Sequence, residues 1–214
     1  MELNEVLDRL HVLESPTDRA GMGRFGINVE NALGISVRAL RELAREIGTD
    51  HALALELWRS GIHEARILAT IVDDPAAVTD HQLEDWAADF DSWDVVDQCA
   101  LNLIRKTDLA VNKAVQWSGR PEEFVKRAGF AVMAGTAVGA EDAPDELFVG
   151  WLDIIEDRAG DERNFVKKSV NWALRQIGKR NPNLNARARS TSLGGLRNPR
   201  HELRAGWEPT RSAS

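Results

Sequence analysis

The breaks between the helical stretches of this sequence are short, and that brevity constrains the fold most. Apolar residues recur at helical spacing over Ser36–Ile47, His51–Trp58, Ile62–Val72, Thr79–Phe90, Ser92–Arg105, Leu109–Trp117, Pro121–Val138, Pro144–Asp157 and Glu162–Lys179. Between them stand Ser60-Gly61, Asp73-Asp74-Pro75, Ser118-Gly119-Arg120-Pro121, Ala143-Pro144 and Gly160-Asp161. Pro121 and Pro144 are placed in a first helical turn, where proline is tolerated. No stretch alternates like a strand. Connections of two to six residues join neighbouring antiparallel helices, so the chain is read as all-α.

The segment Phe124-Val125-Lys126-Arg127 returns as Phe165-Val166-Lys167-Lys168, 41 residues later. Paired-helix repeats of the HEAT type have a period of about 40–47 residues. The expected architecture is therefore a curved α-solenoid of HEAT-like antiparallel helix pairs, whose concave face suits a large ligand. Residues 1–187 form one domain in this reading. Residues 188–214, rich in Gly, Ser, Arg and Pro, are expected as a loose basic tail, with a short helix near Arg200–Ala205.

Composition narrows the chemistry. A hydrophobic fraction of 43% against 29% charged residues permits a sizeable core. The single cysteine, Cys99, excludes a disulfide framework and a Cys-rich zinc site. No apolar run approaches about 18 residues, and Met-Glu-Leu-Asn-Glu-Val-Leu does not begin like a signal peptide. A cytoplasmic protein without a membrane span is expected. The net charge of -7 hides an asymmetry: from Lys179 onward eight cations face two acids, leaving +6 there and -13 before it. A cleft responds to its nearest charges, so the acidic total does not exclude a basic groove.

On Glu162–Lys179, Phe165, Val166, Val170, Ala173, Leu174 and Ile177 fill one half of the helical wheel. Lys168, Trp172, Arg175 and Lys179 share the other edge. Three cations around one indole suit a polyanion, with phosphates on the cations and a base or sugar against the ring. The same pattern describes a solvated basic face with a half-buried tryptophan. On Ser92–Arg105, Trp93 borders the apolar arc of Val96, Cys99, Ala100, Leu103 and Ile104, and Asp97 follows it at i+4. A partly desolvated carboxylate beside an indole suits a developing cation; it equally suits a salt bridge to a neighbouring helix. Arg127 shares a stripe with Ala131 and Ala134, and is the candidate to bridge Asp97 to the Trp172 helix. Lys113 and Trp117 repeat the cation–indole pairing, where ordinary packing with a snorkelled charge is the alternative. There is no phosphate-binding Gly-rich loop, GxSxG or HExxH, and the five histidines show no ligand pairing. His63 is read as a helix-terminal or core histidine.

Three segments together resemble the DNA alkylation repair enzymes, the AlkD-like DNA glycosylases built from HEAT-like repeats. They are Ser92-Trp93-Asp94-Val95-Val96-Asp97, Phe124-Val125-Lys126-Arg127-Ala128, and Phe165 through Gln176 with its Lys168, Trp172, Leu174 and Arg175. The likeness spans roughly Gly21 to Arg187. It implies base excision repair of purines alkylated at ring position 3 or 7. Asp97 then corresponds to the catalytic carboxylate, Trp93 and Trp172 to indoles flanking the deoxyribose, and Arg127 and Arg175 to arginines holding the DNA backbone. The DNA-binding set is completed by Lys168, Lys179, Lys113, Trp117 and Phe25. Phe25 stands where the family usually has a tyrosine, and this chain has no tyrosine. The family's helical patterning after Ala188 also gives way here to Ser, Gly and Pro. The implied partner is double-stranded DNA with alkylated purines, bound by a monomer with no metal or organic cofactor and no membrane. A non-catalytic binder of unusual DNA structures and a protein-interaction scaffold remain as alternatives.

Overall fold

The computed structural model describes the backbone of residues 1–195 and the side chains of residues 1–191. Its helices are α1 (Leu3–Val12), α2 (Pro16–Met22), α3 (Val37–Ile47), α4 (His51–Arg59), α5 (His63–Val72), α6 (Asp80–Ala88), α7 (Trp93–Asn102), α8 (Ala110–Ser118), α9 (Glu123–Gly139), α10 (Asp145–Arg158), α11 (Asn164–Gly178) and α12 (Pro182–Gly195). Single 3-10 turns follow α2, at Gly23–Phe25, and α7, at Ile104–Lys106. Among the described residues there is no strand.

Local chemistry sets several starts. Side-chain oxygens of Ser15, Ser36, Asp50 and Thr79 accept from the backbone N–H three residues on, opening α2, α3, α4 and α6. Pro144 sits one residue earlier than expected, as the extended N-cap of α10. Pro121 likewise precedes the N-cap of α9, Glu122. Two helices, α1 and α2, lie ahead of the first stretch read as helical.

The odd-numbered helices α3, α5, α7, α9 and α11 each pack on the next, and α4, α8 and α10 back onto α5, α9 and α11. This is a solenoid of HEAT-like helix pairs. At its centre α9 is buried around most of its circumference, from Val125 to Ala137, as befits a helix enclosed by α7, α8 and α11. Small residues let α8 and α9 approach closely. A Cβ at Gly129 would collide with the backbone nitrogen of Ser118 and stand 2.9 Å from its Cα. Gly129→Ala is expected to cost about 1–3 kcal/mol, the usual range for overpacking, read as a lower urea midpoint.

The C-terminal expectation needs correction. α12 continues through residues 188–195, part of the segment expected to be loose. Its Arg187 pairs with Asp153 and Glu156 of α10, and Ala188 and Thr191 are buried. Arg180 caps the end of α9 through the carbonyls of Ala137, Glu141 and Ala143, and lies 4.0 Å over Phe148. Part of the late basic charge therefore holds the last repeat together. The helix expected near Arg200–Ala205 lies outside the described residues.

Candidate DNA-binding and catalytic site

Trp93 opens α7 and Asp97 lies one turn on, so both side chains point to the seam with α9. Arg127 answers from α9. Its Nε donates to Asp97 Oδ1 at 2.9 Å and its Nη2 to Oδ2 at 2.7 Å, a fork-on-fork pair. Its Nη1 donates to the carbonyl of Phe165 on α11 at 2.7 Å. The guanidinium also lies 5.6 Å over the Trp93 ring. One arginine thus joins α7, α9 and α11, as the stripe of Arg127, Ala131 and Ala134 suggests. The Asp97 side chain is 15% exposed and that of Arg127 6%. Burial pushes the Asp97 carboxyl above its ordinary range; Arg127 opposes this and the nearby Asp94 charge adds to it.

The Trp93 ring is tethered at its far end. Its Nε1 donates to the carbonyl of Phe25 at 3.1 Å. Phe25 closes a 3-10 turn whose next residue, Gly26, has φ +73°, the left-handed region glycine favours. The Phe25 side chain is 72% exposed. Behind the turn stands a polar hub without a signal in the sequence. Glu64, fully buried, accepts from the backbone N–H groups of Leu33, Gly34 and Ile35. His63, the first residue of α5, is 2.8 Å from Asp94, which also accepts from Ser92 Oγ at 2.6 Å. Burial disfavours the His63 cation, but the Asp94 hydrogen bond and the charges of Asp94, Glu64 and Asp91 together outweigh it and raise its pKa. The hub fixes the chain around residues 28–35 against the start of α7.

On α11, Lys167, Lys168, Asn171, Trp172 and Arg175 line a shallow hollow of about 370 Å³. Trp172 is half-buried, whereas Lys168, Arg175 and Lys179 are exposed. Asp161 is taken by Lys126 and Arg163, and Asp153 and Glu156 by Arg187. Lys168, Arg175 and Lys179 have no carboxylate partner among the described residues. A cationic rim around an accessible indole is suited to a phosphate backbone with an adjoining sugar or base.

The sequence profile of the DNA alkylation repair enzymes matches residues 6–192. The chain belongs to that family. No curated protein matches it at a significant level. A solved chain from "a new family of proteins related to the HEAT-like repeat DNA glycosylases with affinity for branched DNA structures" superimposes with a TM-score of 0.80. The superposition covers 91% of this chain and 83% of that one at 19% identity, a likeness of fold.

Within the family frame, three expected DNA contacts need correction. Lys113 is fully buried, with its Nζ 2.7 Å from Asp80 and 2.6 Å from Glu84. Trp117 is fully buried too, and its Nε1 donates to Glu84 at 2.8 Å. Both stabilise the α6–α8 contact and neither reaches a groove. Arg127 is 5% exposed, and each of its nitrogens already has a protein acceptor. It orients Asp97 and is not a free phosphate ligand. Among the described residues no three His, Cys, Asp or Glu side chains group to hold a metal, and no helix is long and apolar enough to cross a membrane.

Proposed function

We propose that this chain is a monofunctional DNA glycosylase that hydrolyses the N-glycosidic bond of purines made cationic by alkylation at ring position 3 or 7. The observation carrying this reading is the Asp97 carboxylate, held by the two-pronged Arg127 contact beside the Trp93 ring. A cationic purine leaves readily, taking the electron pair of its bond to the sugar. The costly species is the oxocarbenium-like sugar left behind. Asp97 faces that charge and orients the water whose oxygen bonds to the sugar; the water proton passes to the carboxylate and then to solvent. Arg127 subtracts from the field of Asp97, but favours the ionised form of a largely buried carboxyl against the effect of burial and holds it in one orientation. Trp93 and Trp172 flank the sugar with their π faces. Lys168, Arg175 and Lys179 take the neighbouring phosphates, and Phe25 stacks at the edge.

Arg175→Ala is expected to weaken duplex binding severalfold and to lower the slope of log K against log salt by about one, as for one lost phosphate contact. Fluorescence anisotropy between 50 and 200 mM salt reads both, and a slope equal to the parent's removes Arg175 from the interface. The test of the function itself is release of 3-methyladenine and 7-methylguanine from alkylated duplex DNA.

A second reading has its own support. Both Asp97 oxygens are engaged by Arg127, and the structurally similar protein is described by its affinity for branched DNA. A non-catalytic binder of DNA junctions would need the cationic face but no free carboxylate. It predicts tight junction binding with no base release.

A further inference from the structure

The α7–α9 seam that holds Asp97 and Arg127 continues to a second cation. Leu101, one turn beyond Asp97, meets Gly135 of α9, and Arg105, in the 3-10 turn that follows α7, lies across Gly135 and Gly139. A Cβ at Gly135 would stand 2.9 Å from Leu101 Cδ2 and 3.0 Å from Arg105 Cδ; one at Gly139 would overlap Arg105 Nη1. Arg105 therefore occupies a bed that only glycine leaves open. Its Nε donates to the Leu101 carbonyl at 2.6 Å, which fixes the plane of the guanidinium. Nη1 and Nη2 have no protein acceptor among the described residues, although the side chain is half-buried.

Two further cations stand nearby. Lys106 adjoins it, and its ammonium is held below the ordinary value by burial, by Arg105 and by Arg41 of α3. The acids of α3 are engaged elsewhere, Glu42 by Arg38 and Glu46 by Arg9. Lys106 also borders the hollow that contains Asp108, so the better-placed ligand is Arg105. A planar fork with two free nitrogens, anchored through Nε, matches two oxygens of a phosphodiester.

We propose that Arg105, on its Gly135–Gly139 bed, is a second DNA-backbone site that grips a phosphate from the α7–α9 seam, beyond the Asp97–Arg127 pair. Along α9, Gly135 and Gly139 lie eight and twelve residues beyond Arg127, about 12–18 Å of helix. At about 3.4 Å per nucleotide, the site lies roughly four to five steps from the sugar facing Asp97. The inference rests on the reading that this face takes DNA, and it gives the duplex an anchorage on the α7–α9 seam besides the one on α11.

The test is anisotropy of the full-length chain with a labelled duplex from 50 to 200 mM salt, comparing parent, Arg105→Ala, Gly139→Ala and Arg175→Ala. Thermal melts confirm that each variant is folded. Arg105→Ala is expected to weaken binding about 3- to 10-fold and to reduce the salt slope by about 0.9. Gly139→Ala, which evicts the guanidinium without removing it, is expected to do the same; if it fails to fold, Arg105→Ala alone decides. If Arg105→Ala binds with the parent's affinity and slope while Arg175→Ala is weakened, the second site is overturned and the α11 reading stands. If the parent does not bind duplex DNA, both fall.

Discussion

Asp97→Asn lowers single-turnover excision of 7-methylguanine by about 10²- to 10³-fold, the range for losing one preorganised electrostatic contact to the transition state, and leaves duplex affinity within about twofold. Asparagine keeps the shape and one acceptor for Arg127 while its NH2 meets the second donor of the fork, so the loss reports the negative charge together with one hydrogen bond. The pH profile gives an independent readout. Burial places the Asp97 carboxyl above the ordinary carboxylate range, against the pull of Arg127 and with the push of Asp94. Excision needs the ionised form, so the rate falls as pH drops through this raised value, and the variant loses that acid limb. An unchanged rate in Asp97→Asn removes the residue from catalysis and leaves the junction-binding reading.

Arg127→Ala produces the largest loss of stability. It strands a carboxylate whose side chain is 15% exposed and deletes the tie from α9 to the Phe165 carbonyl. Removing one partner of a buried ion pair costs about 3–5 kcal/mol. For a chain of this size that is a fall in Tm of roughly 6–20 °C. The sign of its pH dependence follows from Asp97. Without Arg127 the carboxyl pKa rises further above its unfolded value, so the folded state binds a proton more readily than the unfolded one. The deficit is therefore smallest in acid and grows as pH rises through the new value. Asp97→Ala combined with Arg127→Ala costs less than the two single changes together, because no charge is left unpaired. Additive losses in a double-mutant cycle would show that the pair is not coupled.

These expectations depend on separating cations that bind DNA from cations that hold the fold, and here the sequence was only partly legible. Lys168, Trp172, Arg175 and Lys179 share a helix edge by spacing alone, and the structure leaves the three cations exposed. Lys113 and Trp117 show the same i,i+4 pattern yet are sealed inside by Asp80 and Glu84 from α6. The spacing is identical; what differs is an acid about thirty residues away. Arg105 illustrates the converse. Its role rests on two glycines of α9, and neither position marks itself in the sequence as the floor of a site.

Side-chain periodicity and helix punctuation are enough to specify the all-helical repeat architecture, the helix order from α3 to α11 and the face of α7 that carries Trp93 and Asp97. Each of these follows from periodicity within one segment, because the 3.6-residue turn and the burial of an apolar stripe are local consequences of side-chain order. Which polar groups meet is set by how the helices stack: Arg127 with Asp97, Glu64 with the loop at residues 33–35, and Arg180 with the end of α9. Ion pairs and buried hydrogen bonds act over a few ångströms between residues far apart in the chain. Their partners become defined only when the helices stack.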